Sequence, residues 1–446
     1  MNATHGLQAH IQNWDRWRAE CARVLYGNLL DWDVQKHLRY RYTAPAKEKG
    51  KYLPQWLWDS CFHAIAYRWF DTAMAWEELL SLLVHQVPDG ERDAGMIPHM
   101  QHMDVVNDKA AQGLFRQSQR STITQPPLIA VAAWEVFSKA PDTEKLQQIY
   151  AANMRYHAWF DERRADSDGL VVSIHPWETG WDASQRWDAL LGVEDVLKQD
   201  KAFSEALKNI RWRQMTLLEE VDYDWHRLLE RDAFCVKPID WNAIRVADLR
   251  AMGQIAEVLG HTQDAADWRS KADQIAATIA EKLCQQNGER IVGYDLIWED
   301  GQEKLSEVDT AAKFVLLFGQ CVDAEAAQAL VAELTNEHSP YHTPYWLTTT
   351  PTNNPSFDGK EYWRGNVWMS LNWLVYTGLR HYGFADVASE LTERSLALVD
   401  HSGFCEFFDP ITGARGESVG VPCPQNQSWT AVILDMLATE IQQESS

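Results

Sequence analysis

His175-Pro-Trp-Glu-Thr-Gly-Trp-Asp-Ala-Ser-Gln-Arg-Trp-Asp188 is the stretch around which this 446-residue chain is organised. It sets two acids, Glu178 and Asp182, among three tryptophans, Trp177, Trp181 and Trp187. Apolar rings around a carboxylic acid disfavour its charged form and raise its pKa. An acid that keeps its proton near neutrality can protonate a leaving group. The rings also offer flat faces with a polar rim, suited to the CH-rich face of a sugar. A second reading of Asp182 stands beside this one. With Gln185 three residues on and a helical pattern following, Asp182 is equally placed to cap a helix.

The same arrangement recurs outward along the chain. The polar-aromatic clusters Trp56–Asp59, Gln125, Glu178–Asp182, Tyr362–Arg364 and Gln427–Trp429 each precede an apolar helix. Helical periodicity dominates. One helix is expected across Leu7–Leu29 and another from Ala183 onward, with pairs such as Pro238–Leu259 and Thr262–Cys284, or Val367–Tyr382 and Ala385–Asp400. In each pair one helix is apolar nearly all round and its partner is amphipathic. About a dozen such helices predict an all-α (α/α)6 toroid, a double ring with a buried inner layer. Short β pieces are expected at Arg290–Trp298, Tyr345–Thr349 and Phe404–Pro410. Periodicity alone leaves a helical solenoid open. If the inner helices run parallel, the five clusters collect at one end of the ring as a small-molecule pocket. One domain, 1–446, is expected, with the long connections 87–121 and 199–232 as candidate lids or substrate loops.

Composition narrows the function. A formal net charge of −23 argues against nucleic acid and anionic membranes as partners, while leaving room for a small acid held by one arginine. The seven cysteines are scattered without a CxxC pair, so neither a disulfide framework nor a zinc site is signalled. Reduced thiols in a cytoplasmic protein fit best. Met1–Arg18 has no apolar h-region, and no run of 18 apolar residues exists to span a membrane. The oligomeric state stays open.

A second carboxylate lies in Gly403-Phe-Cys-Glu-Phe-Phe-Asp-Pro410. Asp409, before proline, reads as a turn residue. Glu406 is either an outward-facing strand position or a general base. Two carboxylates in one aromatic pocket are the minimum for glycosidic hydrolysis: one protonates the leaving oxygen, the other attacks the anomeric carbon or deprotonates a water. Asp59, in Trp56-Leu-Trp58-Asp59, is a third acid that either contacts sugar hydroxyls or caps the following helix.

Together, Glu178-Thr-Gly-Trp-Asp182-Ala-Ser with Arg186-Trp-Asp188, Gln125-Pro-Pro127, Tyr362-Trp-Arg-Gly365, Glu406-Phe-Phe-Asp-Pro-Ile-Thr-Gly413 and Gln427-Ser-Trp-Thr430 resemble glycoside hydrolase family 63 and its trehalase-like relatives. The resemblance runs in order from about Trp56 to the last helix. It implies an (α/α)6 barrel and inverting hydrolysis of a small α-glycoside without a cofactor. It implies Asp182 as general acid and Glu406 as general base. It places Trp56, Trp58, Asp59, Gln125, Tyr362, Trp363 and Gln427 around the sugar, with Trp429 in the wall. Trp177, Glu178 and Trp181 belong to the same aromatic-acid stretch, and Arg186 is set either to pair with an acid or to touch substrate. A lone barrel of this length is similar to bacterial hydrolases of glucosylglycerate and mannosylglycerate, which hold glycerate through tyrosine and arginine. Tyr223 and Arg227 are the candidates for that task, so the expected ligand is a small neutral or mono-acidic sugar. Trehalase or another α-glucosidase is the alternative. A sugar epimerase would need central histidines, of which only His99 and His175 lie near the clusters. A silent sugar-binding protein would lack one of the two acids.

Overall fold

A computed structural model describes residues 3–34, 38–47, 52–104, 115, 118–193, 201–287 and 290–444. The N-terminal segment forms α1 (Ala3–Gln12) and α2 (Trp14–Gly27) rather than one continuous helix. The break falls at Asn13, whose side-chain amide turns back onto the Ala9 carbonyl at 2.7 Å. Such local bonds by asparagine compete with the helix ladder.

The ring follows as α3 (Leu57–Tyr67), α4 (Thr72–Ser81), α5 (Ile129–Lys139) and α6 (Thr143–Arg163). An insertion carries α7 (Lys201–Glu220) and α8 (Trp225–Leu229). The ring then resumes with α9 (Ile239–Val258), α10 (Thr262–Lys282), α11 (Val315–Gly319), α12 (Ala324–Thr335), α13 (Met369–His381), α14 (Ala385–Ser402) and α15 (Ile433–Glu444). Helices α3, α5, α9, α11, α13 and α15, the last entered through the 3-10 turn Ser428–Val432, contact one another in sequence, and that turn closes back on α3. These six are the inner ring. Their hydrophobicity all round has a simple cause: every residue of α3 and sixteen of twenty in α9 are buried, against five of twenty-one in outer α10. Helix α2 packs on α15, so the N-terminal helix supplies the outer layer that the last inner helix needs. The predicted (α/α)6 toroid is the observed fold, and the closure excludes a solenoid.

Buried carboxylates peg the inner helices together. Asp248 of α9 accepts the Ala130 and Val131 amides at the start of α5, at 2.7 and 3.1 Å, and bonds His157 Nε2 at 3.0 Å. A negative group there satisfies helix N–H groups that have no partner within the helix.

Three local expectations change. A hairpin that the periodicity did not signal pairs Leu29–Val34 with Leu38–Thr43, at the end of the expected Leu7–Leu29 helix. The helix expected from Ala183 is only the 3-10 turn Gln185–Trp187 and one turn, Asp188–Leu191, stopped by Gly192 at φ +66°. Tyr345–Thr349 forms no strand; its backbone is engaged by side chains, as where Asn372 Oδ1 accepts the Leu347 amide. Among the described residues no helix is long and apolar enough to cross a membrane.

Candidate active site

A cavity of about 420 Å³ opens at the N-terminal ends of the inner helices. Its wall brings together Trp56, Trp58 and Asp59 at the start of α3, Gln125 ahead of α5, Tyr362 ahead of α13, and Gln427 and Trp429 ahead of α15. Trp177 and Asp182 come from the insertion, and Glu406 from the segment after α14. Only the acid cluster departs from the expected rhythm, since α7 and α8 separate it from its inner helix α9.

Gly180 fixes the approach of the acid. Its φ is +77°, and a Cβ there would lie 2.6 Å from the Trp58 ring. Glycine alone lets the loop turn against that indole. Ser184, not Asp182, caps the following 3-10 turn. The capping reading of Asp182 therefore falls away, and its carboxyl lines the cavity. Burial pushes Asp182 up to about 6, partly opposed by the Arg211 charge and the Tyr362 hydroxyl at 3.4 Å. Asp59 sits in the first turn of α3, whose cap is Trp56, and burial pushes it up to about 8, helped by the charges of Asp182 and Glu78.

Glu406 is held by its backbone. Its amide donates to the Pro424 carbonyl at 3.2 Å, and its carbonyl accepts from Trp429 Nε1 at 3.3 Å. Asp409 makes the turn, its Oδ1 accepting the Ile411 and Thr412 amides. The Tyr362 phenol is raised by burial, then by the charge of Asp182, then by that of Glu406. Two acids thus act on one tyrosine from separate parts of the chain.

Four residues expected at the sugar do not reach the cavity. Glu178 is sealed beneath it, bonded to Arg164 at 2.8 and 2.9 Å and accepting the Ile174 and Thr124 amides. It therefore anchors the acid loop and the irregular segment before Gln125. Arg186 is buried between Asp240 and Asp295, with contacts of 2.5–3.0 Å, because Asp240 in the first turn of α9 and Asp295, which accepts the Ile239 amide, need a shared cation. Trp181 and Trp363 stack on one another at 4.8 Å, and Trp363 stacks on Trp368 at 3.8 Å. These rings form the floor under the wall residues. Asp188, in turn, pairs with Arg364 at 2.5 and 2.7 Å, tying the acid loop to the Tyr362 loop.

Tyr223 and Arg227 also lie elsewhere. The Tyr223 hydroxyl bonds Thr122 at 2.6 Å, and Arg227 donates to the Val221 carbonyl at 3.1 Å. The cationic residue in the wall is Arg211 of α7, the only one among the described residues there. Tyr52, Phe407 and Cys423 join it. Sequence reasoning passed over Arg211 because one arginine in a charged helix carries no local signature. Of the candidate lids, residues 105–114, 116, 117, 199 and 200 lie outside the described residues. Apart from Arg211, no described residue of either stretch is in the wall.

The histidines are occupied. His99 Nδ1 bonds Ser121 at 2.6 Å, His175 Nε2 donates to the Arg211 carbonyl at 3.0 Å, and burial lowers both to about 3. Neither lines the cavity, which removes the basis for an epimerase. Among the described residues one acidic group could hold a metal, Asp166 with Asp168 and Glu303. The Lys237 ammonium already bonds all three, so a cation's place is filled by the protein itself.

Comparison with known proteins agrees with this architecture. Residues 52–430 match the model of the mannosylglycerate hydrolase MGH1-like glycoside hydrolase domain. A mannosylglycerate hydrolase of Thermus thermophilus is 30% identical over 90% of this chain and 97% of its own length. A glucosylglycerate hydrolase of Mycolicibacterium hassiacum is 27% identical over 86% of this chain and 92% of its own. A crystal structure of the family 63 mannosylglycerate hydrolase from Thermus thermophilus, in complex with Tris and D-glycerate, superposes with a TM-score of 0.78 and 27% identity, over 95% of this chain and all of that one. With the family model spanning most of the chain, the protein belongs to the mannosylglycerate hydrolase MGH1-like glycoside hydrolase family.

Proposed function

We propose that this glycosidase inverts the anomeric centre of a small α-glycosylglycerate, a glucoside or mannoside, with Asp182 as general acid and Glu406 as general base. The observation that carries the reading is the meeting of these two acids on one tryptophan-walled cavity, with Asp182 raised to about 6 by burial. Asp182 gives its proton to the glycosidic oxygen as the bond to the anomeric carbon breaks. Glu406 takes a proton from a water attacking that carbon on the opposite face, so the sugar leaves with inverted configuration. Asp59, still protonated near neutrality, offers one hydroxyl donor to a sugar oxygen. Arg211 is the group suited to a glycerate carboxylate, since a guanidinium meets a carboxylate through two parallel N–H donors. Uncombined thiols support a cytoplasmic setting.

The test is release of monosaccharide from glucosylglycerate, mannosylglycerate, trehalose and neutral glucosides. Proton NMR should first detect the anomer opposite to the substrate's. Initial release of the retained anomer would overturn the assignment of Glu406 as a base. Equal turnover of trehalose and the glycerates would overturn the acidic aglycone.

A further inference from the structure

Two cysteines flank the candidate base in a way that no part of the hydrolysis uses. The Phe404–Asp409 segment pairs with the chain returning through residues 415–425. Cys405 bridges Gln425, the Glu406 amide bonds the Pro424 carbonyl, and Phe408 bridges Arg415. With Cys405 opposite Gln425, Cys423 is its diagonal neighbour on the same face of the ladder. Cys405 is fully buried, its thiol directed to the Ser402 carbonyl at 3.1 Å. Cys423 lies on the cavity wall, its thiol near the Phe407 carbonyl at 3.6 Å. Each thiol is the largest influence on the other's titration: Cys423 raises Cys405, and Cys405 lowers Cys423. Ladder diagonals are about 7–8 Å apart between Cα atoms, just beyond the usual span of a disulfide. Joining the sulfurs would therefore draw the two strands together, and one of those strands carries Glu406.

The five other cysteines include none in the wall. Cys423 alone meets solutes that enter the cavity. Its surroundings favour the thiolate: the Cys405 thiol foremost, then the amides of Phe407 and Glu406 and the Arg415 side chain, all working against burial. Thiolates, not thiols, react with oxidants.

From this geometry we infer that Cys405 and Cys423 are a reversible oxidation site, closed to a disulfide by hydrogen peroxide that enters through the substrate cavity. The Cys423 thiolate attacks one peroxide oxygen. The O–O bond breaks, hydroxide leaves to become water, and Cys423 becomes a sulfenic acid. The Cys405 sulfur gives up its proton and attacks the Cys423 sulfur. The S–O bond breaks, a second water leaves, and the disulfide is formed. Two thiols lose two electrons and two protons, and one peroxide becomes two waters. The closed bridge shifts the Pro424 carbonyl against the Glu406 amide, so the oxidised enzyme is less active until a dithiol reduces it.

The experiment treats the full-length protein with hydrogen peroxide and digests it with trypsin without reduction. Arg415 lies between the two cysteines, so cleavage leaves them on separate peptides joined only by the new bond. A joined peptide lighter by two hydrogens, disappearing with dithiothreitol, is expected, along with activity that falls several-fold and recovers on reduction. In Cys405→Ser the sulfenic acid has no partner, so dimedone should label Cys423 far more heavily than in the wild type. Absence of the joined peptide in the wild type, or equal dimedone labelling of both proteins, would overturn the inference. The peptide readout needs no turnover, so it stands or falls separately from the proposed substrate.

Discussion

The two halves of the cavity are built differently. The acid loop, His175–Asp188, is moored by buried charge pairs: Glu178 to Arg164, Arg186 to Asp240 and Asp295, and Asp188 to Arg364. The base segment, Phe404–Asp409, is moored by backbone ladder bonds to residues 413–427 and by aromatic packing, with Phe407 stacked on Trp368 at 4.7 Å. The contrast follows from what each side is proposed to do. A general acid must sit in apolar surroundings to keep its proton, and an irregular loop there has unpaired backbone that side-chain charges must hold. A base must stay ionised, and an extended segment beside a hairpin satisfies its own amides while leaving the carboxylate facing the cavity.

The comparison breaks most sharply at the acids themselves. Asp182→Ala and Glu406→Ala should each lower kcat by about 10²–10⁴. A substrate with an activated leaving group needs no protonation, so it should rescue Asp182→Ala and leave Glu406→Ala impaired; rescue of both or neither in steady-state kinetics would exchange or remove these roles. Next in size, Arg186→Met leaves Asp240 and Asp295 buried without their cation, at a cost of about 3–5 kcal/mol. Denaturant unfolding should register that loss. A base-side change at an exposed turn residue, Ile411→Thr, should stay within about 0.5 kcal/mol.

The pH dependence separates the halves further. As general acid, Asp182 must be protonated, so kcat/KM should fall as pH rises through about 6. The folded state keeps that proton to about 6, whereas the unfolded chain sheds it near 3.8, so wild-type stability declines between those values. Asp182→Asn should lose this part of the decline in thermal melts across the same window. The smallest expected effect is that of Tyr362→Phe. The tyrosine hydroxyl favours the charged form of Asp182, so its removal should move the alkaline limb of the rate profile upward by less than a unit. A downward movement would mean that the tyrosine does not act on the acid.

Much of this was legible along the chain. The apolar members of the helix pairs became the inner ring because burial on both sides leaves no room for a polar face, and that pattern is local. The clusters ahead of those helices became the cavity wall for the same reason, as with Trp56–Asp59 and Gln427–Trp429. What failed was the assignment of charge. Glu178 looks like a pocket residue in sequence, and Arg186 stays open there between pocket and ion pair, because their partners, Arg164, Asp240 and Asp295, are distant in number; for Arg186 the ion pair is what forms. Trp181 and Trp363 read as sugar platforms, yet each is covered by another indole. The hairpin at Leu29–Thr43 was hidden in Leu-Arg-Tyr-Arg-Tyr-Thr, a two-residue alternation without a turn signal.

The order of residues by itself determined a ring of paired helices with two acids among tryptophans, because helical periodicity and local composition act over a few residues. Which acid faces the cavity and which is neutralised beneath it, that Arg211 supplies the wall's positive charge, and that Cys405 meets Cys423 were decided only by the tertiary structure. A carboxylate's role depends on the nearest opposite charge and the nearest solvent, and chain closure chooses both.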